Sequence, residues 1–287
     1  MTRQLHVVAV LFVACVGLGV AGCGGSPDPD RPETSSARTE GPVDIGDRSL
    51  LLRCQGAGAP TVLLEAGLGG DLTTWDSVLA PVSSRTRACA YNRANVGASD
   101  PAPTPRTTTD MVDDLTRLLT AADEPPPYVL VGFSFGGLVV QQFAATHPDD
   151  VAGLVLVESN HPDEARQFEA HLTRKQILAD RAEVAANPEG VDVFSSFDEV
   201  RAAGRVPDVP LVVVTAGAGE DWPPGWDPTV FDRLRSRQQA DLAAMVTGGR
   251  QVFARQSGHD VPHDQPEVVV RAIEDVLGRV STGGPPR

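Results

Sequence analysis

Gly132-Phe133-Ser134-Phe135-Gly136 is the stretch whose reading decides the rest of the chain. The run before it, Tyr128 to Val131, is short and apolar, as a buried strand is, and residues 137–145 have the spacing of a helix. A serine at such a junction sits on a turn so sharp that its side chain is pushed out of the sheet, with a strained backbone. Strand and helix nearly touch there, so small residues are needed two positions either side of the serine. Gly132 and Gly136 meet that need, and Gly137 adds room. A five-residue match of this kind arises by chance in many proteins. Its weight here comes from the strand before it, the helix after it and a histidine far downstream.

That histidine is His259. Residues 250–255 (RQVFAR) read as a strand, 256–260 (QSGHD) as a loop, and a helix follows from about Pro266 with Val268, Val269, Ile273, Val276 and Leu277 at helical spacing. His259 therefore lies just past a strand end, where open α/β sheets carry functional side chains. The other histidines read more blandly. His263 is a polar residue beside a helix start, His147 follows the helix after Ser134, and His171 is solvent-facing in a polar helix.

Taken together, these features resemble the α/β-hydrolase superfamily over about residues 43–280. Residues 61–67 (TVLLEAG) look like its third strand and Leu68-Gly69-Gly70 like its oxyanion loop, with Ala66 where many relatives carry His. Residues 87–92 (RACAYN) look like the fourth strand, followed by a turn, 93–100 (RANVGASD), similar to the Gly- and Ser-bearing turn of the family. Residues 152–158 (AGLVLVE) and 209–216 (VPLVVVTA) look like the two strands after the serine. Within the superfamily, the resemblance points to secreted or lipid-anchored bacterial serine hydrolases. It implies a mostly parallel eight-stranded sheet, helices on both faces and a small helical cap.

The acid that would orient the histidine has three candidates. Most of the superfamily places it after the strand matching 209–216, which here offers Glu220 and Asp221. A minority places it one strand earlier, at Glu158. Glu158 ends a wholly apolar run, so a rigid element would hold its carboxylate at the sheet rim, and rigid placement favours it. In the mechanism these parts imply, Ser134 attacks an acyl carbonyl while His259 takes its proton. The backbone N–H groups of Phe135 and Leu68 meet the oxyanion. Water then releases the acyl group, with no metal or organic cofactor.

The N-terminus carries an address. Arg3 precedes an apolar run ending in Val20-Ala21-Gly22-Cys23, which resembles the lipoprotein signal box. The expectation is a signal peptide over 1–22, lipidation at Cys23, a Gly-, Pro- and Ser-rich tether to residue 42, and a single domain over 43–287. The enzyme would then be extracytoplasmic, tied to the bacterial membrane by its lipid. Cys54 and Cys89 remain in the domain. In the superfamily's strand order their two strands are neighbours, which implies a Cys54–Cys89 disulfide, and an oxidising compartment would preserve it.

Charge excludes one class of partner. With 38 acidic against 24 basic residues the net charge is −14, and phosphates need a basic footprint, so nucleic acid is not expected. Helices are expected near Asp71, burying Trp75, Val78 and Leu79, and over 109–121 with Thr109 or Asp110 as its cap. Residues 160–206 fall between two strands where the superfamily inserts its cap, with a helix expected from Asp163 to Ala186. Phe168, Leu172, Ile177, Leu178, Phe194 and Phe197 either line a pocket there or pack the cap on the core. Trp222, Trp226 and His161 are the candidates for a pocket rim. The reading is a carboxylic-ester hydrolase acting on a small-molecule ester or acyl substrate. A peptidase or amidase, an acyltransferase, and a silent binding protein with the same fold stand as alternatives.

Overall fold

A computed structural model describes residues 39–219 and 222–282. Eight strands form one sheet in the order β1-β2-β4-β3-β5-β6-β7-β8. They are β1 (Thr39–Asp44), β2 (Ser49–Gln55), β3 (Thr61–Glu65), β4 (Ala88–Tyr91), β5 (Tyr128–Phe133), β6 (Val151–Val157), β7 (Leu211–Ala216) and β8 (Arg250–Ala254). β2 runs antiparallel to both β1 and β4, and every later pairing is parallel. The central strands β3, β4 and β5 are buried at every position, as parallel strands covered on both faces must be. The expected tether ends earlier than residue 42. Thr39 to Pro42 already belong to β1, because pairing with Leu51 to Cys54 recruits a polar segment that has no strand signal of its own.

Helices cover the two faces. α2 (Thr108–Ala121), α3 (Gly136–Thr146), α6 (Val193–Ala203) and α7 (Pro228–Ala243) pack one apolar cluster, with Leu115, Leu138, Phe197 and Leu242 at its heart. α1 (Asp76–Ser83), the short α8 (Val261–Asp264) and α9 (Pro266–Thr282) pack the other, around Val78, Leu79, Val269 and Ile273. The expected helix near Asp71 is a 3-10 turn, Leu72–Trp75, continuing into α1, and it buries Trp75, Val78 and Leu79. α2 is capped by Thr107 rather than by Thr109 or Asp110. Asp110 is instead the third helical residue, reaching back to the Thr107 N–H in a capping box.

The segment expected as one helix over 163–186 is two, α4 (Glu164–Glu169) and α5 (Arg174–Ala185). Thr173 and Gln176 form a second capping box, which starts a new helix in the middle of the run. His171 accordingly lies in the turn between them, exposed. Cys54 and Cys89 face each other across the β2–β4 ladder and are joined in a disulfide.

Candidate active site

The serine turn forms where the sequence places it. Ser134 follows β5 at φ 52°, a left-handed conformation that non-glycine residues rarely hold. A Cβ on Gly132 would stand 2.6 Å from Val140 Cγ2 and 2.7 Å from Gly136 O, and one on Gly136 would collide with Ala66 O. The glycines therefore permit the close crossing of strand and helix. Ser134 Oγ lies 2.9 Å from His259 Nε2, across 125 residues of sequence. His259 stands in the loop between β8 and α8, its ring against Phe133 at a centroid distance of 5.2 Å.

Glu158 completes the group from the tip of the neighbouring strand. It too has a left-handed backbone, φ 41°, and is 2% exposed. Backbone bonds lock the adjacent tips together: Ser134 N–H donates to Val157 O (3.0 Å), Glu158 N–H to Val214 O (2.8 Å) and Asn160 N–H to Ser134 O (3.1 Å). Glu158 Oε1 accepts the Ala216 N–H at 2.7 Å, and Oε2 lies 3.7 Å from His259 Nδ1. Burial alone would push this carboxyl up. The nearby His259 ring, the Arg235 charge and the Ala216 N–H outweigh it and hold the group below the usual carboxylate range. Asp221 and Glu220, the other candidates for the acid, lie outside the described residues.

Arg235 was not anticipated. It sits in α7, 9% exposed, with Nε and Nη2 donating to Glu158 Oε2 at 3.0 and 2.7 Å and Nη2 3.0 Å from His259 Nδ1. A signal for it exists in the sequence. Phe231, Arg235, Gln238 and Leu242 share the buried face of α7, so the arginine occupies an inward position of the helical stripe.

The loop facing the serine is held from below by Arg93, the second unanticipated cation. Its guanidinium donates to Ala66 O (2.7 Å) and Gly67 O (2.6 Å), and Gly67 O also accepts the Gly70 N–H at 3.0 Å. In a planar trans peptide, C=O and N–H point opposite ways. With Gly67 C=O drawn toward Arg93, the Leu68 N–H in the same peptide faces the other side, and Leu68 lines the cavity beside Ser134. Phe135, next after the serine, lines it too. A Cβ on Gly67 would press within 3.3 Å of both the Phe133 ring and Ser134 Cβ, so the loop passes directly by the serine.

The cavity above these groups has a volume of about 390 Å³. Trp222, Trp226, Phe168, Phe194 and Phe197 line it, with carboxylates from Glu164, Glu169 and Asp180. The two tryptophans stack at 6.1 Å, and Trp222 Nε1 donates to Asp232 at 2.7 Å. Leu178 instead points to solvent. His161 is not among the residues lining this cavity. It faces a separate one with Gln141, Arg201 and Met245, its Nδ1 accepting the Asp163 N–H at 3.0 Å, and burial lowers its pKa. The proposed lipidation residue Cys23 lies outside the described residues.

Comparison with known proteins agrees with this architecture. A family model described as alpha/beta hydrolase fold matches residues 60–244. The uncharacterized protein YqjL of Bacillus subtilis is 26% identical over 238 residues, spanning 77% of this chain and 85% of that protein. RutD of Azorhizobium caulinodans, provisionally named a carbamate hydrolase, is 31% identical over 144 residues, which is 50% of this chain and 52% of RutD. Among solved structures, a thermophilic esterase from Thermogutta terrifontis superposes with a TM-score of 0.59 at 22% identity, over 86% of this chain and all of that one.

Proposed function

The chain belongs to the alpha/beta hydrolase family, and we propose that it is a serine hydrolase that cleaves a carboxylic ester through an acyl-enzyme. The observation that carries this reading is Ser134 Oγ at 2.9 Å from His259 Nε2, on a strained turn at the mouth of a cavity. His259 Nε2 takes the serine proton as Oγ attacks the acyl carbon, and the carbonyl oxygen becomes an oxyanion facing the N–H groups of Phe135 and Leu68. The imidazolium passes that proton to the leaving alcohol oxygen as the C–O bond breaks. Water repeats the sequence on the acyl-enzyme, releasing a carboxylic acid. Glu158 supports the imidazolium through Nδ1. The mechanism calls on no metal or organic cofactor.

A second reading has its own support. The three carboxylates in the cavity wall suit a substrate bearing an amine, as a peptide N-terminus does, and Ser134, His259 and Glu158 would cleave an amide once His259 protonates the leaving nitrogen. Fluorophosphonate labelling of the purified domain beside Ser134→Ala, with p-nitrophenyl acetate and aminoacyl p-nitroanilides as substrates, tests both. Ser134-dependent labelling with faster ester turnover is the expected result. Faster anilide turnover would move the assignment to an amidase, and a folded wild type that neither labels nor turns over would sink the hydrolase reading.

We further propose that the enzyme works outside the cytoplasm, anchored through a lipid on Cys23. The signal-like N-terminus and the Cys54–Cys89 bridge support this address. Among the described residues no helix is long and apolar enough to cross a membrane. Metabolic labelling with an alkynyl fatty acid, lost in Cys23→Ala, is the check; an unlabelled wild type would refute it.

A further inference from the structure

Glu189 belongs to the segment that closes over the sheet, in the turn between α5 and α6, yet its carboxylate is 2% exposed and reaches the loop beneath the serine. Oε1 accepts the N–H of Gly69, 120 residues away in sequence. The same carboxylate takes Arg93 Nε on Oε2 at 2.9 Å and Arg93 Nη2 on Oε1 at 2.6 Å. Asn95 Nδ2 holds the Glu189 main-chain oxygen at 3.0 Å, and the Arg106 N–H holds Gly190 O at 2.9 Å, so the turn is pinned on both sides.

We propose that Glu189 is a positioning residue that fixes the oxyanion-binding loop. The proposal rests on the hydrolase reading above. Its physical basis is a division of labour around one loop. Arg93 pulls the carbonyls of residues 66 and 67 to one side and thereby aims the Leu68 N–H to the other. A buried guanidinium needs compensating charge, which Glu65 and Glu189 supply. Glu189 adds a bond to the very next peptide of the loop, at Gly69, whose φ of 74° a residue with a side chain would hold only under strain. Phe168, Phe194 and Phe197, which wall the cavity, belong to the same 160–206 region as Glu189.

Two variants test it. Glu189→Leu removes both the acceptor and the charge. Loss of one oxyanion donor costs on the order of 10²–10³ in rate, and a misaimed donor costs less. The expected result is a kcat lower by about 30-fold at a KM within about threefold, with the rate of phosphonate labelling falling alongside kcat. An aryl boronic acid, whose adduct with Ser134 mimics the oxyanion, should lose affinity by a similar factor, while the product carboxylic acid should not. Glu189→Gln keeps one acceptor oxygen, but if that oxygen serves Gly69 its amide N–H₂ faces Arg93. A kcat loss of about 10-fold at unchanged KM is expected, and this variant decides the matter if Glu189→Leu does not fold. Wild-type kcat and boronate affinity in a folded variant would overturn the proposal, as would equal losses for boronate and product. A wild type that fails to label at all would instead count against the hydrolase reading itself.

Discussion

Ser134 and Glu158 stand on the ends of adjacent strands, whereas Arg235 and Glu189 reach the same centre from α7 and from the turn between α5 and α6. The first pair is held by backbone. Both have left-handed φ angles and both are tied to neighbouring strand tips by main-chain hydrogen bonds near 3 Å. The second pair is held by side-chain charge, on long rotamers that could settle elsewhere if the partner were removed. Strain is tolerated at the strand tips because the sheet over-determines them, and such strain gathers where geometry matters most. Charge-held residues can be moved by anything that shifts the helix or turn that carries them. On the hydrolase reading proposed above, the strand tips supply the chemistry and the outer elements adjust it.

The largest effect should come from the strand tip that makes the covalent bond. Ser134→Ala is expected to lower ester turnover by about 10⁴-fold or more and to abolish phosphonate labelling, with the circular dichroism spectrum unchanged. Residual labelling would break the comparison at its base, because another nucleophile would then be at work. Glu158→Gln comes next, with an expected loss in kcat of about 10³-fold. It also leaves Arg235 buried against an uncharged amide, so the melting temperature should fall as well. A normal rate in Glu158→Gln would send the acid's role to Asp221 or Glu220.

The strand-tip tier was legible in the sequence because each part has a local signature. An apolar run, a glycine-spaced serine, and a carboxylate or histidine just past a strand can be read within a dozen residues. The outer tier was not, for a physical reason. Arg235 lies in a helix of mostly polar residues, where an arginine reads as solvated, and only the packing of α7 on β7 and β8 buries it. Glu189 sits in Pro188-Glu189-Gly190, which resembles an exposed turn until the chain brings it to Gly69. The same limit explains the helix expected over 163–186. Hydrophobic spacing ran through Thr173, and the capping box that interrupts it is a side-chain to backbone event. Trp222 and Trp226, in the loop that also carries Glu220 and Asp221, line the cavity, while His161, three residues past Glu158, faces another one.

Arg235→Met sharpens the contrast with a smaller effect and a definite sign. In the native protein the Glu158 pKa is held below its ordinary value, so its charge supports His259 at all pH above the usual carboxylate range. That support is lost only as pH falls through the lowered value. Without Arg235 the desolvation of a carboxyl 2% exposed is opposed by less, and the folded value rises. Loss of activity in acid should therefore begin at higher pH, with kcat/KM at the optimum reduced by about 10-fold. Among the described residues, the groups facing Glu158 and His259 include Ser134 on the turn after β5, the Ala216 N–H on β7, the Phe133 ring and Arg235 itself. A kcat/KM–pH curve unmoved by Arg235→Met would mean that the α7 charge does not tune the centre.

The smallest effect is expected farthest from the strands. Trp222 lines the cavity, but it also stacks on Trp226 at 6.1 Å, meets the edge of Phe168 at 5.6 Å and bonds Asp232. Those contacts serve packing and pocket alike, so stability alone would not separate the two uses. Substrate length would. If the indole forms the wall against an acyl chain, Trp222→Ala forfeits apolar contact in proportion to the chain it faces, at roughly 0.8 kcal/mol for each buried methylene. Butyrate has two methylenes more than acetate, and partial contact makes a threefold to tenfold loss in butyrate kcat/KM relative to acetate the expected result. A lowered melting temperature with an unchanged butyrate-to-acetate ratio would assign the indole to packing alone, and the acyl wall would then fall to Phe168, Phe194 and Phe197, which approach the cavity from α4 and α6.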